Sequence, residues 1–339
     1  MKPVNLQTVY KEESQSDCST TSILLERVAR QESDVPLLAI PPFPKNIMVE
    51  LSNACNHRCT FCYNRNMKRK IGMINHGLMQ RIIIEAYAAG ARELGLSTTG
   101  EPLVNAHLFD YIKLAKETGF TYVYFSTNGG KLTPEKVEQL FEAQLDSIKF
   151  SINAGTAETY AKIHGRKEFD HVISMVKLIA RRREELKSPM KLLVTNVVTA
   201  ENQHEQEQLR SLLGDVVDDI AFFNDTGAVG PTNSMNTPLP CSMLFNRAHV
   251  TWEGYLTTCC VDYENNLTVA DLNQVSLKEG WESTVYQEFR KRHMQKDVRG
   301  TLCEVCITRK LKAYLPLTTI GHAEDSEAVY PTITESALS

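Results

Sequence analysis

Seven of the nine cysteines fall into two groups whose spacing suits iron–sulfur or zinc chemistry. The first group is C-x-x-x-C-x-x-C and consists of Cys55, Cys59 and Cys62. Three thiolates on one loop can hold three irons of a cubane cluster and leave the fourth iron open to a substrate or cofactor. A tetrahedral zinc ion needs a fourth ligand. His57 is available, but its position between two of the cysteines makes it a poor ligand for the same ion.

The second group reads C-x17-C-x43-C-x-x-C, and its members are Cys241, Cys259, Cys303 and Cys306. Four thiolates satisfy a cubane cluster and a tetrahedral zinc ion equally well. The spacing alone therefore leaves both kinds of site open.

The composition indicates a soluble, folded chain. Of 339 residues, 42% are hydrophobic and 23% are charged, as in an average globular protein. The 37 Lys and Arg against 41 Asp and Glu give a net charge of −4, which argues against a nucleic-acid partner. The sequence lacks an apolar run long enough for a bilayer and an apolar signal segment at its start. We therefore predict a cytoplasmic protein without membrane partners, whose thiols stay reduced.

The first cysteine group lies inside a regular alternation of strand-length and helix-length segments. Strands linked by helices form a parallel sheet with right-handed crossovers, and the working face lies at the carboxyl ends of the strands. Six such units in about 180 residues favour an open partial (β/α)6 barrel over a closed eightfold one. The predicted strands are 47–51, 93–98, 122–127, 147–152, 191–198 and 219–223, and the predicted helices are 78–89, 108–118, 134–143, 172–185 and 205–213.

The alternation also predicts the domain boundaries, because it stops after the sixth strand and a loop rich in Gly, Pro, Thr and Asn follows. We predict an N-terminal tail and linker at 1–46, an α/β partial barrel at 47–225, a small α+β cysteine-rich domain at 226–315 and a C-terminal tail at 316–339. Cys18, in the tail, is expected to have no role.

The loop with the first cysteine group resembles that of the radical S-adenosylmethionine (SAM) superfamily, in which this spacing follows the first barrel strand and carries a [4Fe-4S] cluster. Phe61 fills the aromatic position before the last cysteine, which in the family lies near the adenine. Thr99-Gly100-Glu101-Pro102, after the second strand, is similar to the family's Gly-Gly-Glu-Pro turn, which receives the SAM amino group. Thr99 replaces the first glycine of that turn.

Two further strand ends support the resemblance. Residues 126–129 (Ser-Thr-Asn-Gly) are similar to a common family sequence, and residues 151–154 (Ser-Ile-Asn-Ala) resemble its Ser-x-Asp-Gly, with Asn153 where Asp is common. All these strand ends meet at one mouth of the barrel. The resemblance implies that SAM contacts Phe61, Thr99, Gly100, Glu101, Asn128, Ser151 and Asn153.

The resemblance also implies a mechanism. SAM would bind the open iron, and an electron, supplied by a donor such as flavodoxin or ferredoxin, would cleave it to methionine and a 5′-deoxyadenosyl radical. That radical would remove a hydrogen atom from an unactivated C–H bond. The protein would position the reactants in a dry cavity.

The second cysteine group is similar to the auxiliary-cluster domain called SPASM and to its shortened form, called twitch. The pattern C-x12-G-x4-C around Gly254, followed by a distant C-x-x-C, carries this resemblance. Because the sequence has no cysteine after Cys306, the resemblance implies one auxiliary [4Fe-4S] cluster. Cys260 follows a ligand directly and could give a hydrogen atom to a substrate radical, although a free cysteine is often simply buried.

The resemblance predicts an enzyme that oxidises or epimerises a small polar metabolite, such as a sugar or aminocyclitol. The alternatives are a peptide-modifying maturase and a zinc-stabilised interaction protein without catalytic activity. His107 and His164 have no partner spacing and receive no role, and the basic run 67–70 is predicted to be a solvated loop. The sequence does not identify the substrate or the oligomeric state.

Overall fold

One nine-stranded sheet organises the residues that the computed structural model describes, which are 22–24, 26–27, 35–224, 239–308 and 315–322. The order across the sheet is β6-β5-β4-β3-β2-β1-β7-β8-β9. In this order, each pair of neighbouring strands from β6 through β7 is parallel. Strand β8 pairs antiparallel with both β7 and β9. The strands are β1 (Asn46–Val49), β2 (Glu93–Gly95), β3 (Tyr122–Thr127), β4 (Ser147–Ser151), β5 (Lys191–Val198), β6 (Asp219–Asn224), β7 (Arg247–Val250), β8 (Tyr255–Thr257) and β9 (Thr268–Asp271).

Helices connect the parallel strands, so the predicted partial barrel with a C-terminal α+β segment is confirmed. In the described ranges, none of the helices has both the length and the apolar character that crossing a membrane requires. The helices are α1 (His76–Ala89), α2 (Leu108–Thr118), α3 (Pro134–Glu142), α4 (Ala157–His164), α5 (Phe169–Glu185), α6 (Gln206–Leu213), α7 (Met243–Asn246), α8 (Leu277–Trp281), α9 (Thr284–Met294) and α10 (Leu302–Thr308).

The two faces of the sheet differ in polarity. Alternate residues of a strand point to opposite faces, and Phe125 and Phe150 belong to the fully buried apolar core that includes the helices. Their neighbours point to the other side, which we call the inner face. The register places Ser126 beside Lys149 on this side. The inner face is defined here by Tyr124, Ser126, Lys149, Ser151 and His249.

The cysteine-rich segment shares the sheet of the barrel, because β7 pairs in parallel with β1. Arg69 adds a second connection. Its guanidinium lies 2.9 Å from the Glu50 carboxylate and 2.7 Å from that of Glu253, and its side chain is only 6% exposed. The prediction that the basic run is a solvated loop is therefore wrong for Arg69, since the buried carboxylate of Glu50 and the half-buried one of Glu253 hold its guanidinium inside the protein.

Part of the segment predicted as a tail contacts the start of the barrel strands. The guanidinium of Arg27 lies 2.6 Å from the Glu93 carboxylate and covers the rings of Tyr122 and Tyr124. These residues close the N-terminal end of the inner face. Cys18 and most of the loop after β6 lie outside the described residues.

Candidate active site

The first cysteine group lies on the loop after β1, as predicted. Cys55 is exposed, whereas Cys59 and Cys62 are half-buried. Although Cys55 is exposed, surrounding protein partly desolvates its thiol and raises its pKa to about 11, and burial also raises the pKa of the other two thiols. The free thiols are therefore protonated at neutral pH, and binding of iron would release their protons.

The spacing of these sulfur atoms suits a cluster better than a single ion. In the part of the chain that the structure describes, one set of three potential ligand atoms lies within 4.8 Å of one another. It belongs to His57, Cys59 and His164, and the sulfur atoms of the three cysteines form no such set. A cubane distributes its thiolates over separate irons, whereas a single ion brings them to one point. The backbone N–H of His57 also donates to the Cys55 sulfur, 3.4 Å away.

The turn after β2 packs directly on the cysteine loop. This contact requires glycine at Gly100 but not at Thr99, which replaces the first glycine of the family turn. A Cβ on Gly100 would come within 2.2 Å of the Ser52 carbonyl oxygen and within 2.7 Å of that of Ala54. Only glycine allows this close approach. The position before it is less restricted, and the Thr99 hydroxyl donates a hydrogen bond to the Glu50 carboxylate.

Glu101 is fully buried between the turns after β2 and β3. Its Oε1 accepts hydrogen bonds from the Leu103 N–H (3.1 Å) and the Thr127 hydroxyl (2.8 Å), and its Oε2 accepts one from the Asn128 N–H (2.8 Å). Burial raises the pKa of Glu101 to about 6. The three donors favour the carboxylate form but do not cancel the cost of its desolvation.

Two of the other predicted SAM contacts, Asn128 and Asn153, make hydrogen bonds in the cysteine loop or beside it. Asn128 donates to the Asn56 side-chain oxygen at 2.9 Å and points its amide nitrogen at the Cys55 sulfur, 3.7 Å away. Asn153 is buried, and its Oδ1 accepts a hydrogen bond from the Val197 N–H at 2.7 Å. The half-buried members are Phe61 and Ser151. Direct SAM contact by these side chains stays a prediction.

His164, which received no role from the sequence, touches the cysteine loop. Its fully buried ring places Nδ1 3.5 Å from the Cys59 sulfur and 3.2 Å from Nδ1 of His57. The other ring nitrogen of His57 lies 2.8 Å from the Glu168 carboxylate. The ring of Tyr160 stacks on His164 at a centroid distance of 4.0 Å.

The helix that carries His164 was also missed, although its two ends are marked in the sequence. The Thr156 side chain accepts a hydrogen bond from the Thr159 N–H at the start of α4, and Gly165 ends the helix with a positive φ. Both are common helix-boundary residues. At eight residues, α4 is too short for a clear apolar periodicity.

The second cysteine group lies in the C-terminal segment. Cys303 is buried, and Cys241, Cys259 and Cys306 are half-buried. Cys303 and Cys306 are three positions apart on α10, which places them on one side of that helix. A hydrogen bond with Cys260, burial and the nearby thiols of Cys241 and Cys303 all raise the pKa of Cys259. The structure therefore gathers these thiols in one region.

Cys260 lines a small cavity at the junction of the barrel and the C-terminal segment. Glu50 and Thr99 contribute to its wall from the barrel mouth, and His249 and Asp262 contribute from the C-terminal segment. The Cys260 side chain therefore lies between the barrel mouth and the C-terminal segment. Its role as a hydrogen-atom donor stays a prediction.

Comparisons with known proteins agree with the family resemblances predicted for both cysteine groups. The model of the radical SAM superfamily matches residues 49–212, and the SPASM model, an iron–sulfur cluster-binding domain, matches residues 241–307. A probable GTP 3′,8-cyclase of Saccharolobus solfataricus is 31% identical over 137 residues, which are 39% of this chain and 42% of that protein. The tungsten-containing aldehyde ferredoxin oxidoreductase cofactor-modifying protein of Pyrococcus furiosus is 26% identical over 184 residues, which are 53% of this chain and 51% of that protein.

The chain thus spans about two fifths to one half of the length of these curated relatives. Among solved structures, SuiB of Streptococcus suis bound to its precursor peptide SuiA superposes with a TM-score of 0.64 and 13% identity, covering 94% of this chain and 87% of that one. At this identity the similarity shows the fold alone. The two domains imply a [4Fe-4S] cluster with SAM and an auxiliary iron–sulfur cluster. The chain belongs to the radical SAM superfamily, and a SPASM domain follows its radical SAM domain.

Proposed function

We propose that this enzyme oxidises or epimerises one carbon of a small polar metabolite such as a sugar or aminocyclitol. When bound, the reduced cluster and SAM supply a 5′-deoxyadenosyl radical able to take a hydrogen atom from an unactivated C–H bond. Cys55, Cys59 and Cys62 would hold that cluster, and Cys241, Cys259, Cys303 and Cys306 the auxiliary one. We keep the cytosol as the expected location, and flavodoxin or ferredoxin as the class of electron donor.

The polar inner face is the observation that carries this proposal. Lys149 is half-buried there, and among the described residues its ammonium has no carboxylate within salt-bridge distance. Burial, followed by the nearby charge of Arg27, lowers the pKa of Lys149 to about 8. An ammonium group beside the hydroxyl of Ser126 suits a ligand rich in oxygen atoms.

The closed end of the inner face supports a small ligand. Arg27, Glu93, Tyr122 and Tyr124 occupy the N-terminal end through an ion pair and two cation–π contacts. A substrate would therefore enter from the carboxyl ends of the strands, where the first cysteine loop lies. Because its N-terminal end is closed, the space beside the inner face is shallow, and this favours a small molecule over an extended peptide as the substrate.

Cys260 distinguishes the two reaction outcomes. In an epimerisation, its S–H would give a hydrogen atom to the substrate radical, which forms the new C–H bond. The resulting thiyl radical would then need one electron and one proton, with the electron coming from the enzyme's electron donor. In an oxidation, the substrate radical instead loses one electron, which the auxiliary cluster would accept, and one proton, which would pass to water, so no hydrogen returns to carbon.

The experiment is turnover of anaerobically reconstituted protein with a panel of sugars and aminocyclitols in deuterated water. We expect about eight irons per chain and formation of 5′-deoxyadenosine together with product. Epimerisation would place solvent deuterium on the product carbon, and oxidation would give an unlabelled product. Replacement of Cys260 by Ser should abolish epimerisation and leave oxidation intact. If peptides were the only compounds that gave product, the small-metabolite proposal would be contradicted. A purified protein that contained zinc but no acid-labile sulfide would contradict the radical mechanism.

A further inference from the structure

The hydrogen bonds of Asn153 fix which ring nitrogen of His164 carries the proton. The Val197 N–H can only donate, and it lies 2.7 Å from the Asn153 side-chain atom Oδ1, so that atom is the carbonyl oxygen and its partner is the NH₂ group. This NH₂ group (3.3 Å) and the backbone N–H of Asn153 (3.1 Å) both face Nε2 of His164. Nε2 is therefore an acceptor without a hydrogen.

A neutral imidazole has one hydrogen, so the hydrogen of His164 is on Nδ1. That nitrogen faces the Cys59 sulfur at 3.5 Å and Nδ1 of His57 at 3.2 Å. The Glu168 carboxylate accepts a hydrogen bond from the Nε2–H of His57, 2.8 Å away, so Nδ1 of His57 is also an acceptor. The N–H of His164 is thus a donor shared between an imidazole nitrogen and the cysteine sulfur.

The same geometry argues against a metal ion held by His57, Cys59 and His164, although their ligand atoms lie within 4.8 Å of one another. A ligating Nδ1 needs its lone pair for the metal, which would move the His164 proton to Nε2. Two N–H groups of Asn153 already point at that nitrogen. The arrangement fits a hydrogen-bond donor to the sulfur and not a ligand to a separate ion.

We propose that His164 is a positioning residue that donates its Nδ1–H to the Cys59 sulfur and raises the reduction potential of the radical SAM cluster. The inference rests on the assignment of the first cysteine group to that cluster. Reduction adds negative charge to the cluster and its sulfurs, and an N–H dipole aimed at a sulfur stabilises the reduced form. Asn153, two residues after β4, sets the direction of this dipole through the ring of His164.

Two variants of His164 and one control test the proposal in the full-length reconstituted protein. His164→Phe keeps a ring that can stack on Tyr160 but removes the donor. His164→Asn returns an N–H near the position of Nδ1. Tyr160→Phe changes the stacked neighbour and leaves His164 intact. The readout is a redox titration of the electron paramagnetic resonance (EPR) signal that changes when SAM is added, with dithionite as the reductant.

We expect the potential of His164→Phe to move to a more negative value, that of His164→Asn to return toward the wild type, and that of Tyr160→Phe to stay unchanged. A cluster-loaded His164→Phe protein with the wild-type potential would overturn the proposal.

A measurement on the wild-type protein covers the case in which His164→Phe does not fold or load the cluster. Protein grown with ring-¹⁵N histidine should show a weak ¹⁵N coupling to the reduced cluster in pulsed EPR, and a proton coupling that disappears in deuterated water. A cubane signal without the ¹⁵N coupling would overturn the proposal. Absence of any cubane signal would instead overturn the cluster assignment itself, so the two failures are distinguishable.

Discussion

The backbone N–H of Asn128 lies 2.8 Å from Oε2 of Glu101 and donates a hydrogen bond to it inside a fully buried site. The two residues belong to the turns after β3 and β2, which are 27 positions apart in the chain. Each turn sequence alone is typical of an ordinary turn. Their contact shows that the polar strand ends form one connected structure beside the cysteine loop.

Glu101 should make the stability of the fold depend on pH. Its pKa rises from 4.5 to about 6 on folding, so the folded state favours the protonated acid. The resulting stabilisation is complete below pH 4.5 and is lost as the pH rises through 6. Between pH 4.5 and 7, the wild type should lose about 2 kcal/mol of unfolding free energy relative to Glu101→Gln. Urea unfolding at several pH values measures this, with the exposed Glu142→Gln as the control. Parallel pH curves for wild type and Glu101→Gln would contradict the assignment.

The sequence predicts the parts of the site that local patterns encode. Strand-length apolar runs locate β1 to β6, and the cysteine spacing locates both groups. The contacts of His164 with Cys59 and of Arg69 with Glu253 join residues 105 and 184 positions apart, and no local pattern records such pairs. The parallel pairing of β7 with β1 is hidden for the same reason.

The first cysteine group should be essential for cleavage of SAM. Replacing Cys55, Cys59 and Cys62 together by Ala removes every thiol of the loop, so reductive formation of 5′-deoxyadenosine should fall to background. Chromatography of an anaerobic reaction with dithionite measures the nucleoside. Cys18→Ala is the matched control and should retain full activity. A triple variant that still forms 5′-deoxyadenosine would show that the cluster is held elsewhere.

The second cysteine group should bind its iron–sulfur cluster independently of the first group. Cys303 is buried on α10, and replacing it by Ala removes one of four ligands. We expect the iron content to fall from about eight to about four per chain, while the EPR signal that responds to SAM remains. Iron and sulfide analysis together with EPR spectroscopy tests this. An unchanged iron content would mean that Cys303 is not a ligand.

Arg69 should stabilise the junction between the barrel and the C-terminal segment. Removing its charge by Arg69→Met leaves Glu50, which is 2% exposed, without its cation. Loss of one partner of a buried ion pair costs about 3–5 kcal/mol. Urea unfolding should show a loss of this size, and Glu50→Gln in the same chain should restore part of it. Exposed Lys70→Met is the control, and a loss no larger than that of the control would contradict the role given to Arg69.

Lys149 should contribute to substrate binding and not to the generation of the radical. A hydrogen bond from a charged group contributes about 1.5–3 kcal/mol, so Lys149→Met should lower kcat/KM by about 10- to 100-fold, mainly through KM. The 5′-deoxyadenosine formed without substrate should not change, because Lys149 lies on the inner face and not on the cysteine loop. Since the pKa of Lys149 is about 8, the wild-type kcat/KM should fall above pH 8, and the Met variant should lack that decrease. Lys191→Met, on an exposed strand position, is the control. An unchanged KM in Lys149→Met would remove the inner face from the proposed substrate site.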